Sequence, residues 1–471
     1  MIQAAMPAKN EVVELEIESS AFEGKMVARL EGFVIFVPYA VPGDRIRARI
    51  VRRKKRYAEA VVEEVLRPSP FRVAPRCRYF GVCGGCRLQN VAYEKQLEMK
   101  ATQVRDLLER IGGFADPAVA PVIPSPETYW YRNKMEFTFS NRRWLLPEEI
   151  AGGGELRKDF ALGLHVPGRY DKVLNLEECF LQSETSARLV NRVREIALEQ
   201  GWAPYDTLEH VGFLRNLVIR EGQNTGERMV VLITRERDEA AMNFLAERLR
   251  SEFNDLTTFV NGVNSRRSPV AQGEEEFVHL GDGTIRDRLG ELTFRITPGA
   301  FFQPNTLQAE RLVEVIGEWA RLEPRHLVFD LYCGIGSIGL SLAPKVRRVV
   351  GVESHAESVR LAILNARENG IENAEFRQGD ALDALKPDFL RRVGKPDVVI
   401  LDPPRAGVHP DVVKALLRLK PPRIVYTSCN PATLARDLQL LAAAYELEGV
   451  QPVDMFPQTF HVECVAALQL R

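Results

Sequence analysis

A cysteine between a strand and a helix is the first position in this chain with the makings of chemistry. Arg423-Ile424-Val425-Tyr426 is short, apolar and β-branched, as a buried strand requires. Asn430 suits a helix N-cap and Pro431 the first helical position, and Leu434, Leu438 and Leu441 recur at near-helical spacing. Cys429 falls at the turn between them, at the positive end of a helix. There a thiol's pKa is expected to fall and the thiolate, the attacking form, to be favoured. This stretch alone fits an inert buried cysteine equally well.

Four more cysteines form a second set. Cys77-x5-Cys83-Gly84-Gly85-Cys86 has two glycines that let the backbone fold tightly around a bound centre, and Cys179 is the candidate fourth ligand. Structural zinc and an iron–sulfur cluster both fit four thiolates, and spacing alone leans towards zinc. Seven cysteines, an odd number and partly clustered, suggest metal binding or catalysis in a reducing compartment rather than disulfides. With no signal-peptide pattern and no run of roughly 18 apolar residues, a cytoplasmic protein without a membrane span is expected.

The third set is a series of acids at strand ends. Leu327 to Tyr332 reads as a buried strand, followed by Cys333-Gly334-Ile335-Gly336-Ser337-Ile338-Gly339 and a helix, the cofactor entrance of a doubly wound sheet. A glycine pattern alone is a weak signal. It gains weight from strands ending at Glu353, before Asp380, and at Asp402-Pro403-Pro404-Arg405. Acids in succession with no phosphate-binding lysine motif suit S-adenosylmethionine better than a dinucleotide. Glu353 would then take the ribose and Asp380 the adenine edge, while Cys333 is structural.

These sets must be positioned by at least three units. The 471 residues, 45% hydrophobic and 27% charged, suffice for two or three ordinary globular domains. A formal net charge of −1 means that any nucleic-acid affinity must come from a local patch. Residues 10–70 alternate as four or five short strands with turn signals at Glu31-Gly32 and Pro42-Gly43-Asp44, suggesting a small oligonucleotide-binding type barrel. Residues 45–78 hold twelve Lys or Arg against three acids, a phosphate-tracking patch if it is more than a solvated face. The pattern from Tyr93 to Ile111 predicts an amphipathic helix closing the cysteine module. Residues 71–300 read as an α+β domain with paired strands at 211–220 and 229–233 and helices at 184–200 and 238–252. Its Tyr129-Trp130-Tyr131-Arg132-Asn133-Lys134 run offers stacking faces and cations for a splayed RNA base. Residues 301–471 form the α/β cofactor domain.

Two long patterns resemble the RNA 5-methyluridine (uracil-C5) methyltransferase family. One is Asp402-Pro403-Pro404-Arg405-Ala406-Gly407 with Ile424 to Thr433; the other is Val453 to Glu463, ending Phe460-His461-Val462-Glu463. With the barrel, which resembles a TRAM domain, and the four cysteines, the resemblance covers nearly the whole chain. It is strongest to members that act on large-subunit (23S) ribosomal RNA. It implies a multidomain fold with a class I methyltransferase domain at the end. Gln303, Tyr332, Ser337, Glu353, Asp380 and Asp402 would line the S-adenosyl-L-methionine site, although Ser337 stands where relatives often have asparagine. A [4Fe–4S] cluster rather than zinc is implied at Cys77, Cys83, Cys86 and Cys179.

The chemistry explains the residue types. Uracil C5 is too poor a nucleophile to attack a sulfonium methyl, but addition of the Cys429 thiolate to C6 makes C5 an enolate carbon. The C5 proton must then leave, with Glu463 as the candidate base. Arg405 is placed either to stabilise the enolate oxygen or in a structural salt bridge. The partner would be an unstacked uridine of ribosomal RNA, bound by a monomer. Transfer RNA and amino-group methylation of a nucleobase are the alternatives, the latter because Asp-Pro-Pro also suits an amine acceptor. Such enzymes need no thiol. Cytosine-C5 enzymes carry Pro-Cys where this chain has Pro403-Pro404-Arg405, and an electron-transfer protein would need a second redox centre.

Overall fold

The computed structural model describes residues 7–153, 156–267 and 270–471. Strands β1 (Val12–Ser20), β2 (Met26–Leu30), β3 (Phe33–Val37), β4 (Arg45–Arg53) and β5 (Tyr57–Arg67) close a barrel in the order β1-β2-β3-β5-β4. Strict alternation drives the closure: Ile46, Ala48 and Ile50 of β4 point inward while Arg45, Arg47 and Arg49 point out. The outward arginines do not form a bare basic face. Pairing of β4 with β1 and β5 sets glutamates beside them, and Arg45–Glu14, Arg47–Glu64, Arg49–Glu63 and Arg67–Glu16 are ion pairs at 2.6–2.9 Å. Counting charges along one stretch of sequence missed the acids contributed by β1. The exposed turn Arg52–Arg56 keeps the remaining cationic density.

The central sheet has eight strands: β6 (Lys134–Ser140), β7 (Arg143–Trp144), β8 (Ala161–Val166), β9 (Arg169–Asn175), β10 (Leu214–Glu221), β11 (Arg228–Thr234), β12 (Leu256–Val263) and β13 (Glu275–Leu280). β10 and β11 pair antiparallel and are buried along their whole length, and helices Glu184–Glu199 and Glu239–Glu252 bury Leu189, Val193, Met242 and Leu245 in its core. A hairpin of β14 (Ile285–Leu289) and β15 (Leu292–Ile296) follows.

The last sheet contains β16 (Leu327–Leu331), β17 (Arg348–Glu353), β18 (Ala374–Gln378), β19 (Val398–Leu401), β20 (Arg423–Ser428), β21 (Tyr445–Val453) and β22 (Glu463–Leu470). Their order is β18-β17-β16-β19-β20-β22-β21, all parallel except β22. Strand order reverses between β16 and β19, the position where open α/β sheets bind ligands.

Helix Tyr93–Arg110 forms where expected but packs elsewhere. It buries Val104 and Leu108 in the last sheet's core and Met99 in the barrel's, so it ties two units together rather than closing the cysteine module. Val119 and Ile123 pair with Val450 and Val453, adding an early segment to the edge of the last sheet. The core around β14 and β15 runs continuously into that of helix Thr306–Ala320 and β16, across residue 301.

Candidate active site

The glycine turn after β16 is shaped by backbone constraints. Tyr332, Gly334 and Gly336 all have positive φ, and Tyr332 N donates to Val352 O at 2.9 Å. A Cβ on Gly339 would lie 2.8 Å from Asp330 Oδ2, so only glycine lets its N–H reach that carboxylate, at 2.9 Å. Asp330 is fully buried and its Oδ1 has no partner. Burial, with Asp402 and Glu353 nearby, pushes its pKa up to about 8. Burial likewise raises Asp402, which follows β19, to about 7. Glu353 ends β17 and folds its carboxylate back, accepting from Gly334 N at 3.3 Å and His355 N at 2.8 Å.

Asp380 caps the next turn, accepting from Leu382 N at 2.8 Å, and is exposed. Ser337 opens the short helix after the glycine turn, and Gln303 is buried, its carbonyl accepting from Asn133 Nδ2 at 2.7 Å. The six residues named for the donor therefore come from strand ends, a turn and a preceding loop. Asp330 was not singled out, although one acid inside an otherwise apolar buried strand was the signal.

Cys429 lies where expected, after β20 and before helix Pro431–Leu441, whose cap Asn430 accepts from Ala432 N at 3.1 Å. Antiparallel pairing of Ser428 with Cys464 carries Glu463, the first residue of β22, alongside it. Asn430 Nδ2 and Thr433 Oγ1 both donate to Arg405 O, at 3.1 and 3.2 Å, clamping the Pro-Pro-Arg loop to the helix start. The Arg405 side chain hydrogen-bonds to Cys429.

The expected thiolate does not emerge from this setting. Burial, Glu463 and Asp402 together outweigh Arg405 and push the Cys429 thiol up to about 11. Glu463, 3% exposed, is itself held well above the usual carboxylate range by burial and Asp402. Helix-end reasoning considered one neighbour; the fold supplies two acids from other strands. A pocket of about 210 Å³ opens on Cys429, with Arg405, Gln103, Phe460, His461 and, from the barrel, Glu23 on its walls. His461 packs against Phe460 and Phe456, and burial with nearby cations lowers its pKa to about 4, so it is neutral near pH 7.

The loop bearing Phe460 and His461 is pinned from behind. Lys100 Nζ donates to Asp454 Oδ1 at 2.6 Å with both residues at most 1% exposed, and Tyr93 Oη donates to Asp454 Oδ2 at 2.9 Å. Gln458 O accepts from Arg87 N and Leu88 N, both at 3.0 Å. Neither brace was apparent in the sequence, because each joins residues more than 350 positions apart.

Cys77, Cys83, Cys86 and Cys179 line one small cavity. Burial, with each thiol opposing its neighbours' ionisation, holds Cys77 at about 11 and Cys83 and Cys86 at about 12. Backbone N–H groups of Tyr79, Gly85 and Leu181 face the sulfurs of Cys77, Cys83 and Cys179. Among the described residues, no group of three or more His, Cys, Asp or Glu is arranged to hold a metal ion. The aromatic run is not free for a base: Tyr131 is buried, donating to Pro457 O at 2.9 Å, and Trp130 is covered by the Arg76 guanidinium at 4.2 Å.

Residues 246–471 match the tRNA (uracil-5-)-methyltransferase family model and residues 8–62 the TRAM domain. An uncharacterized RNA methyltransferase of Chlorobaculum tepidum is 44% identical over 98% of this chain and 97% of its own. Another from Bacteroides thetaiotaomicron is 42% identical over 96% and 100%. The crystal structure of the Pyrococcus abyssi tRNA (uracil-54, C5)-methyltransferase, in complex with S-adenosyl-L-homocysteine, is 32% identical. It superposes with a TM-score of 0.74 over 96% of this chain and 99% of that one. The chain belongs to the RNA uracil-5-methyltransferase family. It is an S-adenosylmethionine-dependent RNA methyltransferase whose barrel is a TRAM domain. Among the described residues, no helix of this methyltransferase is long and apolar enough to cross a membrane.

Proposed function

We propose that this enzyme methylates C5 of an unstacked uridine in large-subunit ribosomal RNA through a covalent Cys429 adduct. The observation that carries the reading is that Cys429 and Arg405 share one pocket while the buried carboxyls of Glu463 and Asp402 lie close enough behind Cys429 to act on its thiol. In this reading Cys429 gives up its proton to solvent and attacks as the thiolate, the sulfur bonding to C6 while the ring electrons move to O4. C5 then takes the methyl from the sulfonium, releasing S-adenosylhomocysteine. Glu463 removes the C5 proton as the S–C6 bond breaks and the uracil double bond returns. The Arg405 cation lowers the cost of both the thiolate and the developing enolate. Gln303, Tyr332, Ser337, Glu353, Asp380 and Asp402 hold the donor, whose own positive charge offsets the acids around it.

Cys77, Cys83, Cys86 and Cys179 would hold a [4Fe–4S] cluster. Four thiols around one cavity with backbone N–H groups on three of the sulfurs support this. A cluster there would serve as a structural brace, since methyl transfer needs no electron. Action as a monomer in the cytoplasm accords with this reading.

Transfer RNA is the second reading, favoured by the substrate of the Pyrococcus abyssi neighbour. Mapping 5-methyluridine in ribosomal and transfer RNA from cells with the intact gene, without it, and with Cys429→Ala tests both. Loss at a large-subunit site in the last two is expected. Loss confined to transfer RNA transfers the reading to that substrate, and full methylation by Cys429→Ala overturns the mechanism.

A further inference from the structure

A second groove, of about 310 Å³, lies between the TRAM barrel and the catalytic loop and shares Glu23 and Phe460 with the Cys429 pocket. The two units are pressed together there: a Cβ on Gly24, at φ +70°, would lie 3.2 Å from Phe460 Cβ. Tyr39 forms another wall in a conformation that an aromatic residue rarely adopts, φ +61°. Its carbonyl is held by Asn90 Nδ2 at 2.7 Å and Arg72 Nη2 at 3.4 Å, and its hydroxyl accepts from Arg87 Nη1 at 2.8 Å. Three parts of the chain, the barrel, the cysteine module through Arg87 and the catalytic loop through Phe460, thus converge on one concave surface.

We propose that this groove is a subsite for the nucleotide next to the target uridine in single-stranded RNA. The inference rests on the reading that a uridine is taken out of its stack at Cys429. A base so extruded exposes the face of its neighbour, and an aromatic platform beside the pocket covers that face. Tyr39, whose ring has the Arg87 guanidinium 5.6 Å from its centroid and Phe80 edge-on at 5.2 Å, and Phe460 supply the rings, while Lys25 and Arg87 supply cations for the intervening phosphate. Lys25 is paired only loosely, 3.6 Å from Glu59, with 41% of its side chain exposed, so a phosphate can compete for it. The Glu23 carboxylate at the junction of the two cavities accepts from a base amino or imino group. The volume is at the lower end of small-ligand sites, which span about 300–1,000 Å³.

The test uses the full chain, S-adenosylmethionine and a single-stranded RNA of about ten nucleotides, within the span that such surfaces bind. The RNA carries one central 5-fluorouridine, which cannot release its C5 substituent as a proton and so holds the adduct. A photoreactive 5-iodouridine stands immediately before it in one RNA and after it in another. Expected is a Cys429 adduct with a crosslink to Tyr39 or Phe460 from one of the two positions, read by mass spectrometry. An adduct whose crosslinks fall only on the Arg52–Arg56 turn or the central sheet overturns the subsite. A Tyr39 or Phe460 crosslink with no Cys429 adduct overturns the covalent reading instead, leaving an RNA-binding groove. With an unmethylated transcript that the wild-type enzyme methylates, Tyr39→Ala is expected to raise KM about tenfold and Tyr39→Phe to leave it within about twofold. Equal KM for the two variants overturns the stacking role.

Discussion

At the level of single residues, the pocket around Cys429 stores protons rather than charge. Glu463 and Asp402 raise the thiol, Asp402 also raises Glu463, and the Arg405 cation opposes them at Cys429 and at Glu463. Arg405→Gln therefore raises both groups further, and the ascending limb of the pH–rate profile moves to higher pH. Each unit of that shift costs about tenfold in rate near neutrality, measured by single-turnover methyl transfer at saturating donor. Coincident profiles for wild type and variant would show that its charge is not felt by the thiol. The turn that sets Cys429 between a strand and a helix was legible from the residues on either side of it. The direction of the thiol's pKa was not, since it depends on acids delivered by β19 and β22. His461 was in plain view two residues before Glu463, but its neutrality follows from burial and from Arg405, Lys100 and Arg132, which only the fold assembles.

At the level of elements, three parallel strands deliver acids to one edge: Asp330 within β16, Glu353 ending β17 and Asp402 following β19. Asp330 and Asp402, raised to about 8 and 7, are partly protonated at neutral pH in the ligand-free protein. The donor brings an ammonium and a sulfonium, both of which favour the ionised carboxyls. Binding of S-adenosylmethionine at pH 7 should thus release protons, seen as a binding enthalpy that varies with the buffer's ionisation enthalpy. S-adenosylhomocysteine, lacking the sulfonium, should release fewer. Equal, buffer-independent enthalpies would mean that the two acids do not sense the ligand. Strand positions and the glycine turn could be read from the sequence, because apolar β-branched runs and glycines that need positive φ are local signals. The partner of helix Tyr93–Arg110 could not, because periodicity gives the buried face and not what lies against it.

At the level of the whole molecule, the loop bearing Phe460 and His461 is held by units distant in sequence. Lys100 and Asp454 are buried together, and removing one partner of such a pair costs about 3–5 kcal/mol. Lys100→Met should speed amide hydrogen exchange across residues 454–462 by at least about a hundredfold while leaving the barrel strands protected. Unchanged exchange in that loop would show that the pair does not brace it. The barrel's charge shows the same limit on reading by sequence. Of the twelve cations set against three acids in one stretch, Arg45 and Arg67 are paired by Glu14 and Glu16, which β1 brings alongside.

The pairing of Val119 with Val450 and of Ile123 with Val453 also bears on how the chain is made. A ribosome delivers the N-terminus first, so residues 119–123 and Lys100 emerge long before the strand and carboxylate that complete them. At roughly 5–20 residues per second, some 330 further residues keep that segment waiting for tens of seconds. During that interval its unpaired backbone and apolar side chains are an exposed edge. A truncated copy beginning near residue 301 meets the converse problem, with β21 bare along the side that the early segment covers. The last sheet is therefore finished by the beginning of the chain.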